Sequence, residues 1–277
     1  MALITFTSAS GSPGVTSTVL AAAMAWPRPV LVVEADPTGG SGILAGYFRG
    51  QRDPADLVEL VMANRSGVMA EALRRLAVPV DGSDVSVLVG AKSHDQAAGL
   101  VRLWDPLLDA LRSVAAAGQD VLVDAGRLGL EGWPRPFVRH SDLTLLVCRS
   151  TLPALAAARS WAQTLAEDVL PDHQVQVLLV GAGQPYGPRE VSRVLDLPVL
   201  ASVEWDQRRA RVFSEGAAKP PARLGGEAGA DRAFAASAYW RSVTEVGVAV
   251  QKALAGNTRD PLFRGIIAGF GETEVGA

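Results

Sequence analysis

Short runs of consecutive apolar, β-prone residues recur along the chain, each followed by a longer stretch with helical character. Leu3 to Phe6 is the first run, Ser17 to Ala25 the first helical stretch, and Val30 to Val33 the next run. The alternation continues through Val85 to Val89, a helix over 97–117, Val121 to Val123, Leu143 to Val147 and a helix over 154–170. It ends with Val175 to Val180, a helix over 188–195 and Val199 to Val203. Apolar runs without alternation mark strands buried on both faces, and strand–helix repeats join such strands in parallel. The prediction is an α/β fold: a mostly parallel, twisted sheet of about seven strands with helices on both faces. One domain over 1–253 is expected, with a connector at 217–230, a last helix at 231–253 and a flexible tail at 254–277.

Composition narrows the function classes. With 277 residues and 48% hydrophobic content, the chain can bury a large core. A net charge of −3 gives no global pull toward nucleic acid. One cysteine, Cys148, excludes an internal disulfide and suits a cytoplasmic setting. No apolar stretch reaches the roughly 18 residues of a membrane span, and the first residues lack the features of a signal peptide. A single Cys and three scattered His supply no zinc-ligand spacing.

Ligands of parallel α/β sheets bind beyond the carboxyl ends of the strands. The loop after the first run reads Ser10-Gly11-Ser12-Pro13-Gly14-Val15-Thr16-Ser17-Thr18. It joins a strand to a helix N-terminus, where backbone N–H groups and the helix dipole favour an anion. Set on the phosphate-loop pattern G-x-x-x-x-G-K-S/T, Gly11 and Thr18 match, whereas Thr16 and Ser17 replace the second glycine and the lysine. The second strand delivers Glu34-Ala35-Asp36-Pro37, and the strand at 121–123 delivers Asp124-Ala125-Gly126. Carboxylates at two strand ends beside such a loop point to a metal–phosphate site, a strand-end Asp serving magnesium.

These segments resemble the ParA/MinD family of deviant-Walker P-loop ATPases. Ser12 to Val19 stands where the family has K-G-G-x-G-K-S/T-T, Glu34 to Gly39 where it has D-x-D-P-Q-x, and Val123 to Gly126 where it has I-D-x-P. Ser141 to Val147 and Leu197 to Asp206 resemble two later strands of the family, so the resemblance spans roughly residues 1–220. It implies ATP or ADP with magnesium, with Gly11, Ser12, Gly14, Thr16, Ser17 and Thr18 as the nucleotide loop. Thr18 and Asp124 would serve the metal, and Asp36 the attacking water. A nucleotide sandwiched between two copies would make a homodimer.

The departures are specific. Ser12 and Ser17 replace both lysines, and the three lysines of the chain, Lys92, Lys219 and Lys252, lie elsewhere in sequence. Losing one preorganised donor costs about 3–4 kcal/mol of transition-state stabilisation. The expectation is a pseudo-ATPase with weak or absent hydrolysis, acting with a protein partner as a scaffold or positioning factor. The alternative is a divergent active ATPase completed by a partner or by an arginine such as Arg28 or Arg127. A nicotinamide-binding reductase is a third class, disfavoured because no G-x-G-x-x-G is present. Finally, Arg208, Arg209, Arg211, Lys219 and Arg223 stand against Glu215 alone within 207–224, a candidate patch for non-specific DNA.

Overall fold

The computed structural model describes residues 1–257 apart from 11, 53, 171–172 and 223–224. Eight strands form one sheet: β1 (Leu3–Ser8), β2 (Val30–Glu34), β3 (Val78–Pro79), β4 (Val85–Leu88), β5 (Asp120–Arg127), β6 (Leu143–Arg149), β7 (Gln174–Val180) and β8 (Val199–Val203). Their order is β3-β4-β2-β5-β1-β6-β7-β8, and every pairing is parallel except β3 with β4. The strand beyond the expected seven is the two-residue β3. It is too short to show an apolar run, and it forms because Val78 and Pro79 fold back antiparallel on Val87 and Ser86.

Eleven α-helices are described: α1 (Val15–Met24), α2 (Val58–Arg65), α3 (Met69–Leu76), α4 (His94–Gly99), α5 (Trp104–Ala116), α6 (Arg135–His140), α7 (Leu152–Asp168), α8 (Pro188–Leu195), α9 (Gln207–Ser214), α10 (Gly226–Ala235) and α11 (Ala238–Asn257). A π-helical turn covers Ile43–Tyr47, and a 3-10 turn, Leu100–Leu103, separates α4 from α5.

Two helical expectations change. The helix expected over 97–117 is split by that 3-10 turn. The helix expected over 231–253 is two helices, because the Ser237 hydroxyl donates to Phe234 O (2.6 Å), closing α10, and accepts from Trp240 N (3.1 Å), opening α11. The start of α10 also takes up part of the expected connector at 217–230. The apolar stretch Leu262 to Phe270 lies outside the described residues.

Burial follows the pleat. Ile4 and Phe6 of β1 point into a core with α1, α9 and α11, whereas Leu3 joins a second core with α2, α3 and α5 on the opposite face. A third core gathers Leu146 and Cys148 of β6 with α7 and α8. Helices on both faces explain why strands such as β1 and β2 are buried along their whole length. At the sheet's amino-terminal edge, buried Asp120 accepts from Ala2 N (2.9 Å), Trp26 Nε1 (2.8 Å) and Arg28 Nη2 (2.6 Å). Helix α11 runs from edge to edge. Near its start, Ser242 Oγ accepts from Glu204 N (2.9 Å), and near its end Gln251 Oε1 accepts from Arg28 Nη2 (2.6 Å).

Candidate functional site

β1 lies between β5 and β6, so the loop leaving its carboxyl end sits at the sheet's centre, the crevice where parallel sheets hold ligands. Ser12 (φ 43°) and Gly14 (φ 86°) both take left-handed backbone there. Gly14 caps α1 without any side-chain hydrogen bond to the first turn, which leaves the helix N-terminus to backbone donors. Ser17, in the lysine's place, turns its hydroxyl back onto Gly14 O at 3.1 Å. Thr18 is buried. Gly11 lies outside the described residues.

Three strand-end carboxylates lie close together. Glu34 and Asp124 are register partners on β2 and β5, which places them side by side on the face that carries α1. Asp36 follows at the loop start, its Oδ1 accepting from Thr38 N (2.9 Å) and Thr38 Oγ1 (2.8 Å). A Cβ on Gly126 would stand 2.3 Å from Asp36 Cγ, so the two loops approach only because residue 126 is glycine (φ +60°).

Asp124 is fully buried. Its Oδ1 accepts from Gly126 N (3.0 Å), and its Oδ2 has no hydrogen-bond partner. Burial lifts its carboxyl to about 7. The nearby Asp36 and Glu34 push the same way, against the Thr16 hydroxyl and the Gly126 amide. Thr16 therefore faces the carboxylates rather than opening the loop as a glycine would.

Sequence reasoning assigned no role to Glu34. The structure makes it a buried tie, accepting from Ser41 Oγ, Ile43 N (3.1 Å) and Gly90 N (3.1 Å). Burial raises its pKa against these bonds. Its signal was available: an acid at the end of an apolar strand, two residues before Asp36.

Ser12, Ser17 and Thr18 form one side of a cavity of about 430 Å³. The other side is the end of β8 and helix α9, with Glu204, Trp205 and Asp206 before the helix and Glu215 at its end. The single cation among the described lining residues is Arg211, and its Nε is bound to Glu215 at 2.7 Å. The guanidinium of Arg149, the last residue of β6, stacks on Trp205, 3.8 Å from the ring centroid.

Neither arginine considered as a substitute cation enters this cavity. Arg28 is held by Asp120 at the opposite edge of the sheet. Arg127 is exposed at the end of β5, in register with Ser8. The basic patch also changes character. Arg209 pairs with Asp206 (2.5 Å), Arg211 with Glu215 and Lys219 with Asp231 (2.6 Å); Asp206 and Asp231 lie just outside the window that made the stretch look basic. Arg208 remains exposed, and Arg223 lies outside the described residues. Among the described residues, no group of three or more His, Cys, Asp or Glu side chains is arranged to hold a metal ion, and no helix is long and apolar enough to cross a membrane.

No protein-family profile and no curated protein matches the chain. Solved structures do match over nearly its whole length. The cell-division ATPase MinD of Pyrococcus furiosus superposes with a TM-score of 0.67 at 16% identity, covering 91% of this chain and 99% of its own. MinD of Pyrococcus horikoshii, solved with Mg-ADP, gives 0.66 at 15%, covering 94% and 99%. A ParA family ATPase of Chlorobium tepidum gives 0.65 at 16%, covering 89% and 97%. With the central loop, the strand-end carboxylates and the eight-stranded order in place, the chain has the fold of the ParA and MinD P-loop ATPases.

Proposed function

We propose that this protein is a ParA/MinD-like pseudo-ATPase: a cytoplasmic scaffold or positioning factor in partitioning, division or secretion, working through a protein partner. The observation that carries this reading is the charge of the cavity beside the loop. Its described lining offers three carboxylates and one arginine; that arginine is bound to Glu215 and Asp206 is bound to Arg209, so the lining presents no uncommitted cation and the carboxylate of Glu204 remains. Phosphoryl transfer depends on cations placed around the phosphates. Serines at positions 12 and 17 supply hydrogen bonds but no charge, and the Glu204 carboxylate across the cavity repels a polyphosphate. Two missing donors at about 3–4 kcal/mol each leave little turnover.

The metal end of the site fits better. The Thr18 hydroxyl and the unpartnered Oδ2 of Asp124 would serve a magnesium–nucleotide, as the Mg-ADP complex of the P. horikoshii protein suggests by analogy. Magnesium would neutralise phosphate charge there. That orphaned oxygen is the one observation that favours the second reading, a divergent ATPase completed by a partner.

Calorimetric titration of ATP and ADP, with and without Mg²⁺, together with a hydrolysis assay on the protein alone, tests the proposal. Weak or absent binding with no turnover is expected. Turnover comparable to an ordinary ParA or MinD ATPase would overturn it. Hydrolysis that appears only on adding a partner, and that Asp36→Ala abolishes, would establish the second reading instead.

A further inference from the structure

A second cavity, of about 540 Å³, shares no lining residue with the first. Its walls are the chain just after the π-helical turn, the turn between β3 and β4, and the segment leaving α9. Its volume falls within the range of small-molecule sites, roughly 300–1,000 Å³. Three cations line it, Arg49, Arg52 and Lys219; Asp81 in the lining pairs with Arg52 and Asp231 outside it pairs with Lys219, so Arg49 is the lining cation that no described acid compensates.

Each cation is set differently. Arg52 is fixed: Nη1 donates to Pro79 O (2.7 Å), Nη2 to Asp81 (2.6 Å), and its guanidinium lies 4.6 Å over the Phe48 ring. Lys219 is tethered at the surface to Asp231 (2.6 Å). Arg49 is the reserve. It has a left-handed backbone (φ 54°), which costs a side-chain-bearing residue about 1–2 kcal/mol, and no described residue accepts a hydrogen bond from its guanidinium. The wall beside it is preformed: a Cβ on Gly216 would lie 2.4 Å from Tyr47 O and 2.7 Å from Arg49 Cγ. Strain held at a charge that no described residue pairs, in a preformed cavity, is a pattern of binding sites.

We propose that this cavity binds a small, soluble organic phosphate monoester. Arg49 supplies one free charge, and Lys219 supplies a second when a stronger anion draws it from its exposed pair with Asp231; a phosphate, about −1.5 to −2 at neutral pH, answers both, where a single carboxylate, about −1, answers one. The fork of Arg49 suits its oxygens, with Lys219 as a second point of charge. The cavity is larger than a bare phosphate, and Tyr47, Val80 and Val212 give the carbon portion an apolar wall. The proposal does not depend on the reading of the first cavity.

Titration calorimetry of the full chain with glycerol 3-phosphate is the test, with inorganic phosphate and succinate as separate arms. Saturable binding of the ester is expected, tighter than that of phosphate or succinate. Arg49→Gln should weaken it about tenfold or more, the value of one charge-assisted contact. Arg49→Gly, which relieves the backbone strain, should keep or raise thermal stability and lose binding equally. Arg208→Gln, an equal change of charge outside the cavity, should leave binding unchanged. No binding at millimolar ester, an equal loss in Arg208→Gln, or full affinity in Arg49→Gly would overturn the proposal. So would succinate or bare phosphate binding as tightly as the ester. Sedimentation with phosphatidic-acid vesicles that Arg49→Gln abolishes would overturn the soluble ligand in favour of a lipid headgroup.

Discussion

Glu34→Ala is expected to be among the most disruptive single changes near the site, and the reason can be counted. The Glu34 carboxylate accepts from Ser41 Oγ, Ile43 N and Gly90 N in a buried setting. Alanine strands all three donors, and each stranded buried donor costs about 1–3 kcal/mol. Relief of the buried charge offsets part of this, so a net loss of about 3–4 kcal/mol is expected, a large share of an ordinary domain's stability. Ser41→Ala alone should cost less, and in the Glu34→Ala background less again, because the main partner of its hydroxyl is already gone.

The same residue sets a pH signature. Burial raises the folded-state pKa above the ordinary 4.5. The contribution of a group raised in this way is fully present below 4.5 and is lost as the pH climbs through its folded value. Glu34→Gln should remove that component of the slope. Urea unfolding followed by tryptophan fluorescence between pH 4 and 8 measures both effects. A Glu34→Ala loss below about 1 kcal/mol, or full additivity with Ser41→Ala, would refute the reasoning.

Three further expectations follow from the site and the core. Gly126→Ala forces a Cβ against the Asp36 carboxyl at a positive φ and should cost about 2–4 kcal/mol, read as a fall in melting temperature. Restoring both lysines, as Ser12→Lys with Ser17→Lys, should tighten ATP binding about tenfold or more by calorimetry if charge is what the loop lacks. Cys148 is buried and its thiol is pushed up to about 12, so iodoacetamide at pH 8 should label it only after unfolding, as mass spectrometry would show.

The sheet was legible because β1, β2, β5 and β6 are buried on both faces, and such strands print themselves as apolar runs. The same burial made the strand-end acids conspicuous, and the fold brings Asp36 near Asp124, which Thr16 of the loop faces. What stayed hidden depends on contacts distant in sequence. The two residues of β3 carry no periodicity. The break between α10 and α11 rests on one serine in a stretch that otherwise reads as continuous helix. The basic stretch at 207–224 seemed uncompensated because Asp206 and Asp231 flank it, and only the fold brings them onto Arg209 and Lys219. The acid wall opposite the loop likewise joins residues 204–215 to residues 12–18, a proximity no local pattern encodes.

The course of α11 has a practical corollary. Its twenty residues make a rod of about 30 Å, gripped beside the cavity by Ser242 and at the far rim by Gln251. A fluorophore or surface-immobilisation handle attached at Lys252, exposed near the end of α11, therefore sits on the side of the molecule remote from the loop, and ligand measurements made through it would leave the mouth of that cavity clear.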